Sequence, residues 1–575
     1  MLAILIRRLV SLVITLFAVS LIIYLVMGLL PGDPAAIMLG TSASPDTLAA
    51  LQKQMGLDQP LLLRYIHWLA GVFHGDLGQS YTYGVPVAGL IVERLAVTLP
   101  LALLAVCLSV TIAIPLGVAA ARNRNGALDF AAGLFSHVGI AVPGFWVGLL
   151  LIIVFSTTLD WMPAGGFPGW SPSFAAGLTA LILPAVALAL SQAGVLTRVC
   201  RSAVLEVMNE DFVRTARAKG LSERVALWRH AVPNAMIPVV TMIGLQFTFL
   251  IAGAVLVENV FNLPGLGRLA YQALTQRDIV HHEFRGRYSL SLHRPETAGR
   301  CAMMRFTRRR PAFVIGIAVT AFLVAVALLS LVWTPVSPTK MQIVQKLKSP
   351  FVYGGLGTDH FGRDVLSMLM AGAWNSLSTA IAAVAIGAFI GTAIGVTVAA
   401  LRGFTETVVM RICDIIFAVP PILSAMMLGA FIGTGRFTAI IAIATFMVPV
   451  FARLTLGAAL QIWAREYITA ATSIGQNRAT ITMLHVVPNI SNQIIVQVTI
   501  QLGLAILTEA GLSFLGLGMP PPAATWGRML ADAQTYLDAA PWLAIMPGLA
   551  IALAVFGLNL LGDGLRDLLD PRDTS

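Results

Sequence analysis

Charge is what this sequence has least of. Asp, Glu, Lys and Arg make up 11% of its 575 residues, against about a quarter in an average soluble protein. That is too little to cover a water-facing surface of this size. It argues against a soluble enzyme, a disordered chain and a nucleic-acid-binding protein. Cysteine is scarce as well. Cys107, Cys200, Cys301 and Cys413 lie far apart and no CxxC occurs, so neither a disulfide framework nor a zinc site is expected. Small apolar residues in or near helices describe them better. There is no GxxxxGK[ST], GxSxG or HExxH, so the signatures of an ATPase, a serine hydrolase and a zinc peptidase are missing. Gly357-Thr-Asp-His-Phe-Gly362-Arg-Asp364 has the glycine spacing of a phosphate loop, but Arg-Asp stands where Lys-Ser/Thr is needed. An acid there would repel phosphates, so the segment reads as a decoy. His281-His282 and His360 stand far from each other and from any cysteine, so a metal site is only weakly suggested.

What the sequence does have is apolar length. The AVILMFWYC set makes up 57% of it, and its mean hydropathy is +0.84. The length suits roughly ten membrane spans at about 20 residues each. The net charge is +10, but the basic residues collect in short loops between apolar runs. Retention of Lys and Arg on the cytoplasmic side explains that excess.

The first apolar run covers 9–30, behind Arg7 and Arg8. It is longer than a signal-peptide core, and Pro31-Gly-Asp-Pro34 follows in place of a small-residue cleavage site. It is read as a retained span entered from the cytoplasm. Residues 31–97 form an outer loop of mixed polarity. Further runs lie at about 98–121, 132–157, 174–196 and 236–258. Arg122 and Arg124 follow the second run, and Arg198, Arg201, Arg214, Arg217, Lys219, Arg224 and Arg229 lie at or after the end of the fourth. Both groups fall inside by parity. A second series lies at about 312–334, 374–401, 412–433, 437–457, 490–512 and 541–561. Residues 335–373 form its first outer loop. Gly387, Gly391 and Gly395 share one helix face and would let another helix approach closely.

The two series repeat each other. Asp211-Phe-Val-Arg-Thr-Ala-Arg-Ala-Lys-Gly220 returns as Glu466-Tyr-Ile-Thr-Ala-Ala-Thr-Ser-Ile-Gly475, with a constant offset of 255 residues. At the same offset Arg198 meets Arg453, His230 meets His485, and Val232-Pro-Asn234 meets Val487-Pro-Asn489. Glu258 stands seven residues before Gly265-Leu-Gly267, and Glu509 seven before Gly516-Leu-Gly518. Internal repeats of this kind are common in transporters, where two halves enclose a path. Each basic loop reads as a short helix opened by an acid, a Gly turn, then a second helix ending at Pro233 or Pro488. Ala216 and Ala471 leave room for close contact with another surface. Glu258 and Glu509 are the only acids near span depth. They either line the substrate path or bond a neighbouring helix.

These loops carry a resemblance. An acid, Ala at the fifth position after it and Gly at the ninth, in the last large cytoplasmic loop, is similar to the "EAA" loop of permease subunits of binding-protein-dependent ABC importers. More narrowly, the chain resembles the dipeptide/oligopeptide/nickel group. Residues 1–278 resemble the first permease of such systems, through Pro31-Gly-Asp-Pro34, Gly75-Asp-Leu-Gly78, Pro143-Gly-Phe-Trp146, Pro163-Ala-Gly-Gly166 and the stretch from Asp211 to Pro233. Residues 305–575 resemble the companion permease, through Leu356-Gly-Thr-Asp-His-Phe-Gly-Arg-Asp-Val-Leu366, Arg411 with Asp414 and Pro420, and the stretch from Glu509 to Gly518.

The resemblance implies an all-α polytopic membrane protein with two ABC-importer-type transmembrane domains in tandem, of about five and six helices. It implies a multi-pass protein of the bacterial inner membrane and no catalysis on this chain. ATP and Mg²⁺ belong to partners: two ATP-binding subunits dock on the loops at Asp211, Ala216, Gly220, His230 and Pro233 and at Glu466, Ala471, Gly475, His485 and Pro488. A periplasmic solute-binding protein delivers the substrate. Membrane lipid surrounds the chain and no nucleic acid is involved. An ion-coupled secondary transporter is the competing class, but it needs charged or broken helices at mid-membrane.

Two departures stand out. The two permeases are normally separate chains, and here the first is one helix short. Residues 279–304, the junction, contain no long apolar run. Five spans would leave residue 270 outside, whereas Arg305 and Arg308–Arg310 belong inside. The chain cannot cross without a helix, because unbonded backbone groups in lipid cost several kcal/mol each. The parity points to a frameshift near residue 279 that joins two adjacent reading frames near Met303 or Met304. A true fusion with a re-entrant or tilted helix near 259–280 is the alternative.

Overall fold

The computed structural model describes residues 44–54, 58–80, 83–171, 173–275, 311–418 and 421–569, with scattered positions between 6 and 25. Most of the apolar run at 9–30, the motif at 31–34, Asp278, the junction 279–304, Cys301, the basic cluster at 305–310, Pro420 and residues 570–572 lie outside the described residues.

Among the described residues the architecture is helical. In lipid each span must bond its own backbone, and the helix does this locally. Two short helices, α1 (Pro45–Gln54) and α2 (Leu61–Phe73), occupy the first outer loop. The first half continues with α3 (Val87–Arg122), α4 (Ala127–Ala141), α5 (Gly144–Leu151), α6 (Phe174–Met208), α7 (Asp211–Ala218), α8 (Glu223–Ala226), α9 (Val232–Val260) and α10 (Leu266–Thr275). The second half runs α11 (Pro311–Leu329), α12 (Val365–Leu401), α13 (Phe404–Ala418), α14 (Pro421–Ile432), α15 (Arg436–Trp463), α16 (Glu466–Ser473), α17 (Arg478–Ile481), α18 (Val487–Phe514), α19 (Trp526–Ala533) and α20 (Trp542–Leu569). Among the described residues, seven helices are long and apolar enough to cross a membrane, or up to nine if each of two bent pairs counts as one span.

The repeat extends to the whole fold. Val87 and Val365 start α3 and α12 278 residues apart, and α4/α5 and α13/α14 start 277 apart. From α7/α16 through α9/α18 the starts differ by 255, as the loop sequences do. The last helix, α20, has no counterpart among the described residues of the first half.

Several spans differ from their sequence readings. The run 132–157 is not one helix: α4 and α5 meet at 97°. Pro143 sits at the joint, where it has no N–H to continue the ladder. The run 412–433 is likewise a pair, α13 and α14. Helices α3 and α12 begin at Val87 and Val365, nine or more residues before the apolar runs. The ten residues of α10 rise about 15 Å, half of the hydrocarbon core. Helix α10 is the counterpart of α19, an outer helix preceding a span, and does not itself supply a sixth crossing.

The glycine face is confirmed. Gly387, Gly391 and Gly395 of α12 lie against Met447, Val448, Phe451, Ala452 and Thr455 of α15, and a methyl at any of the three would collide with them. One large core runs through both halves, from Leu101 and Trp146 to Trp526 and Ile551. Two smaller cores sit at the loop ends. One gathers Val213, Ala226, Leu227 and Ala231 with Val118 and Val204. The other gathers Ile468, Ala471, Ile481 and Val486 with Val398 and Ala459.

Candidate functional site

Each basic loop is built the same way. Asp211 and Glu466 stand in the first turns of α7 and α16, where a carboxylate is favoured by the free N–H groups. Four residues in each half then fix the geometry. Val213 and Ile468 are buried in the small cores, and Ala216 and Ala471 are each 7% exposed. The chain turns at Gly220 and Gly475, whose φ values are +90° and +86°, a left-handed conformation that glycine adopts without strain. The turn is closed by N–H groups of Leu221 and Gln476 donating to the carbonyls of Ala216 and Ala471, at 3.3 and 3.2 Å. This is the Schellman arrangement that ends a helix.

Beyond the turn, α8 and α17 each pass through one π-helical turn, Leu227–Ala231 and Thr482–Val486, into α9 and α18. Pro233 and Pro488 therefore do not end a helix, as the sequence reading has it, but lie at the starts of those long ones, where a proline's missing N–H costs nothing. Asn234 Nδ2 donates to the His230 carbonyl at 2.7 Å, and Asn489 Nδ2 to the His485 carbonyl at 2.6 Å. The loop is thus continuous with a long helix and tied to it at the joint. His485 also lies edge-on to Tyr467, with ring centroids 6.3 Å apart. An ion pair between Arg217 and Glu223 at 3.0 Å braces the first loop across its glycine. In the second, Arg478 donates to the Ala400 carbonyl at 2.6 Å, at the end of α12, where a cation is favoured.

Ala216 and Ala471 are buried against the chain itself rather than presented outward, Ala471 within the second small core. The outward face is formed by Phe212, Val225 and Trp228 in the first loop and Tyr467, Met483 and Leu484 in the second. Phe212 and Tyr467, and Trp228 and Met483, are separated by the same 255 residues. Sequence reasoning missed them, although that shared offset was visible. Large apolar side chains exposed at the charged end of a membrane protein mark a contact surface.

Glu258 and Glu509 are buried, 0% and 2% exposed. Thr98 donates its hydroxyl to Glu258 at 2.6 Å, and Arg268 N–H donates to the other carboxylate oxygen at 2.9 Å. Leu266 N–H donates to Thr98 at 2.8 Å. Glu258 therefore satisfies the opening of α10 and pins it to α3, which is the geometry of a helix-packing acid. The second half keeps the outline: Ser376, the counterpart of Thr98, accepts from Trp526 N–H at 3.4 Å. There Glu509 accepts from Ser513 at 2.6 Å, and the Ser376 hydroxyl stands beside the same carboxylate.

The halves meet along α20. Trp146 Nε1 of α5 donates to the Ala544 carbonyl at 2.9 Å, with Gly548 making room for the indole. Further along, His137 Nε2 donates to Asp563 at 3.0 Å, and Arg198 lies 3.9 Å from the same carboxylate. A cavity of about 820 Å³ opens there, also lined by the Asp129–Arg201 ion pair. Tyr271 of α10 donates to the Leu515 carbonyl at 2.9 Å, and burial holds its phenol above the ordinary range despite Arg528 nearby. Phe145 and Phe514 add a ring contact at 5.1 Å.

The glycine-spaced segment at 357–364 is a structural turn. Arg363 and Asp359 pair at 2.6 Å, both buried, and Asp364 caps α12 by accepting from Ser367 N–H at 2.8 Å. His360 stacks on Tyr536. His281 and His282 lie outside the described residues, and no group of three or more metal-ligating side chains occurs among the described ones.

The family "Binding-protein-dependent transport system inner membrane component" matches this chain twice, over residues 113–333 and 387–574. The N-terminal module that accompanies it matches residues 1–102. Individual relatives match about half of the chain at a time. A putative peptide transport system permease protein of Brucella suis is 43% identical over 279 residues, 48% of this chain and 89% of the relative. A probable peptide ABC transporter permease protein of Sinorhizobium fredii is 40% identical over 272 residues, 47% of this chain and 87% of the relative. A glutathione transport system permease protein of Salmonella typhimurium is 40% identical over 272 residues, 47% of this chain and 86% of the relative.

Proposed function

The chain belongs to the family of binding-protein-dependent inner-membrane transport components, as two permease units in tandem, and we propose that it forms the membrane path of an ATP-driven importer for peptides. It is a multi-pass inner-membrane protein by family and by its apolar helices. Peptide-class cargo is favoured over nickel because the relatives above are named for peptides and glutathione. Selectivity would rest largely with the solute-binding protein on the outer face.

The observation that carries the mechanism is the duplicated loop. Each loop presents an apolar outer face, is fixed to its own half by a small core, and continues without a break into α9 or α18. We assign one ATP-binding subunit to each: α7, Gly220 and α8 with His230 and Pro233, and α16, Gly475 and α17 with His485 and Pro488. ATP binding would draw the two subunits together, and each loop would move with its long helix as a rigid body. ATP hydrolysis is assigned to those partners. Residues 1–278 and 305–575 are assigned as the two permease units. The junction 279–304 is read as an out-of-frame stretch that replaces the first unit's last span. Resequencing the DNA and RNA across it checks this: a clean single frame with a mature fused chain would contradict the frameshift.

The function itself is tested by reconstituting the chain with its ATP-binding and solute-binding partners. Labelled dipeptide, oligopeptide, glutathione and Ni²⁺ are offered in parallel. ATP-dependent uptake of a peptide is expected. Uptake driven by an ion gradient without ATP would instead establish a secondary transporter.

A further inference from the structure

Among the described residues, the two-fold repeat leaves one face of the second half without the helix that covers its twin. In the first half, α4 and α5 are covered by α20: Trp146 bonds Ala544, and His137 bonds Asp563. Trp146 is 6% exposed under α20, and Phe145 is 4% exposed with Phe514 of α18 against it. The offset of 277 places Ile422 and Leu423 of α14 at the positions of Phe145 and Trp146, and Asp414 of α13 at the position of His137. Ile422 and Leu423 are only part-buried, and Thr407 is exposed like its counterpart Phe130, which lines the cavity beside α20. Asp414 is itself 42% exposed although it pairs with Arg453.

Topology says what belongs there. Helix α19 leads into α20, which crosses to the first half. Helix α10, the counterpart of α19, already packs on α14, so the chain leaves the first half beside the uncovered face. The sequence that follows, 276–310, has no apolar run able to span a membrane, which takes about 20 residues. The missing cover therefore has to come from elsewhere.

We infer that the face of α13 and α14 around Thr407, Asp414 and Leu423 is a docking site for an apolar transmembrane helix of another polypeptide, in the place α20 takes on α4 and α5. Asp414 already supplies the acid that Asp563 supplies on the first half, so the incoming helix need not carry one. The inference rests on the repeat and is independent of the coupling loops and of the cargo.

The test uses the full chain in native membranes. A photoreactive residue is placed at Thr407 or Leu423, and at Phe389, a 78%-exposed position of α12, as a control. A tagged segment comprising residues 526–575, which holds α20, is co-expressed as the probe helix. The expected result is an adduct of the summed mass from Thr407 and Leu423 and none from Phe389, lost when Leu423 is changed to Arg in the Thr407-labelled chain. Membrane levels of the full chain, compared in every variant, separate loss of docking from failure to insert. No adduct from either site in correctly inserted chain, or equal adducts at all three positions, would overturn the inference in favour of a lipid-facing surface.

Discussion

Asp563 and His137 are 426 residues apart in sequence and 3.0 Å apart in space. Their bond fastens the last helix of the second half to the first broken span of the other. Near the opposite end of that helix, Trp146 is seated over Gly548. The two contacts differ in kind, and so should their removal. Asp563 is 45% exposed, and a half-exposed ion pair is worth about 0.2–1 kcal/mol. Asp563→Ala should lower the thermal midpoint in detergent only slightly. Gly548→Leu must drive a side chain into the indole, an overpacking cost of about 1–3 kcal/mol. Its melting shift should be clearly the larger.

Gly220 and Gly475 have nothing within 4 Å of where a Cβ would sit. A substitution there is opposed by backbone strain alone, about 1–2 kcal/mol for a left-handed residue. Gly220→Ala and Gly475→Ala should speed hydrogen exchange in residues 211–233 and 466–488 respectively while protection in α12 and α15 is unchanged.

The glycines of α12 behave differently. Gly391→Leu meets Val448 and Phe451 across the helix pair and should cost several kcal/mol or prevent accumulation in the membrane. Gly457 of α15 has open space around it, so Gly457→Ala should be neutral or stabilise by up to about 1 kcal/mol through helix propensity. Yield and melting temperature of the two variants compare them directly.

Glu258 and Glu509 look equivalent in sequence but should not be equivalent in cost. Glu258→Ala leaves the Thr98 hydroxyl and the Arg268 N–H without an acceptor, a penalty of about 1–3 kcal/mol. Limited proteolysis should then release α10 first. Glu509 bonds the hydroxyls of Ser513 and Ser376, on α18 and α12, so Glu509→Ala should perturb α19 less under the same digestion.

Much of this was legible from residues alone. Hydropathy found the lipid-crossing stretches, and a fixed offset found the paired loops together with the positions of Gly220 and Gly475. Hydropathy could not find the ends of α3 and α12, because backbone hydrogen bonding continues past the apolar part into polar residues such as Glu93 and Arg94. It read α4 and α5 as one span because the 97° bend leaves composition unchanged. The direction of Ala216 and Ala471 was hidden as well: small size permits close approach from either side, and only their burial in the fold shows that it is used inward. Contacts such as Asp563 with His137 carry no local signal at all.

The most direct test of the account is the number of ATP-binding subunits held by the chain, measured by native mass spectrometry of the purified complex. The prediction is two per intact chain. Phe212→Ser with Trp228→Ser should leave one, Tyr467→Ser with Met483→Ser should leave the other, and the combined variant should leave none, with membrane insertion unchanged in each. Two subunits retained by the combined variant would contradict the assignment of the loops.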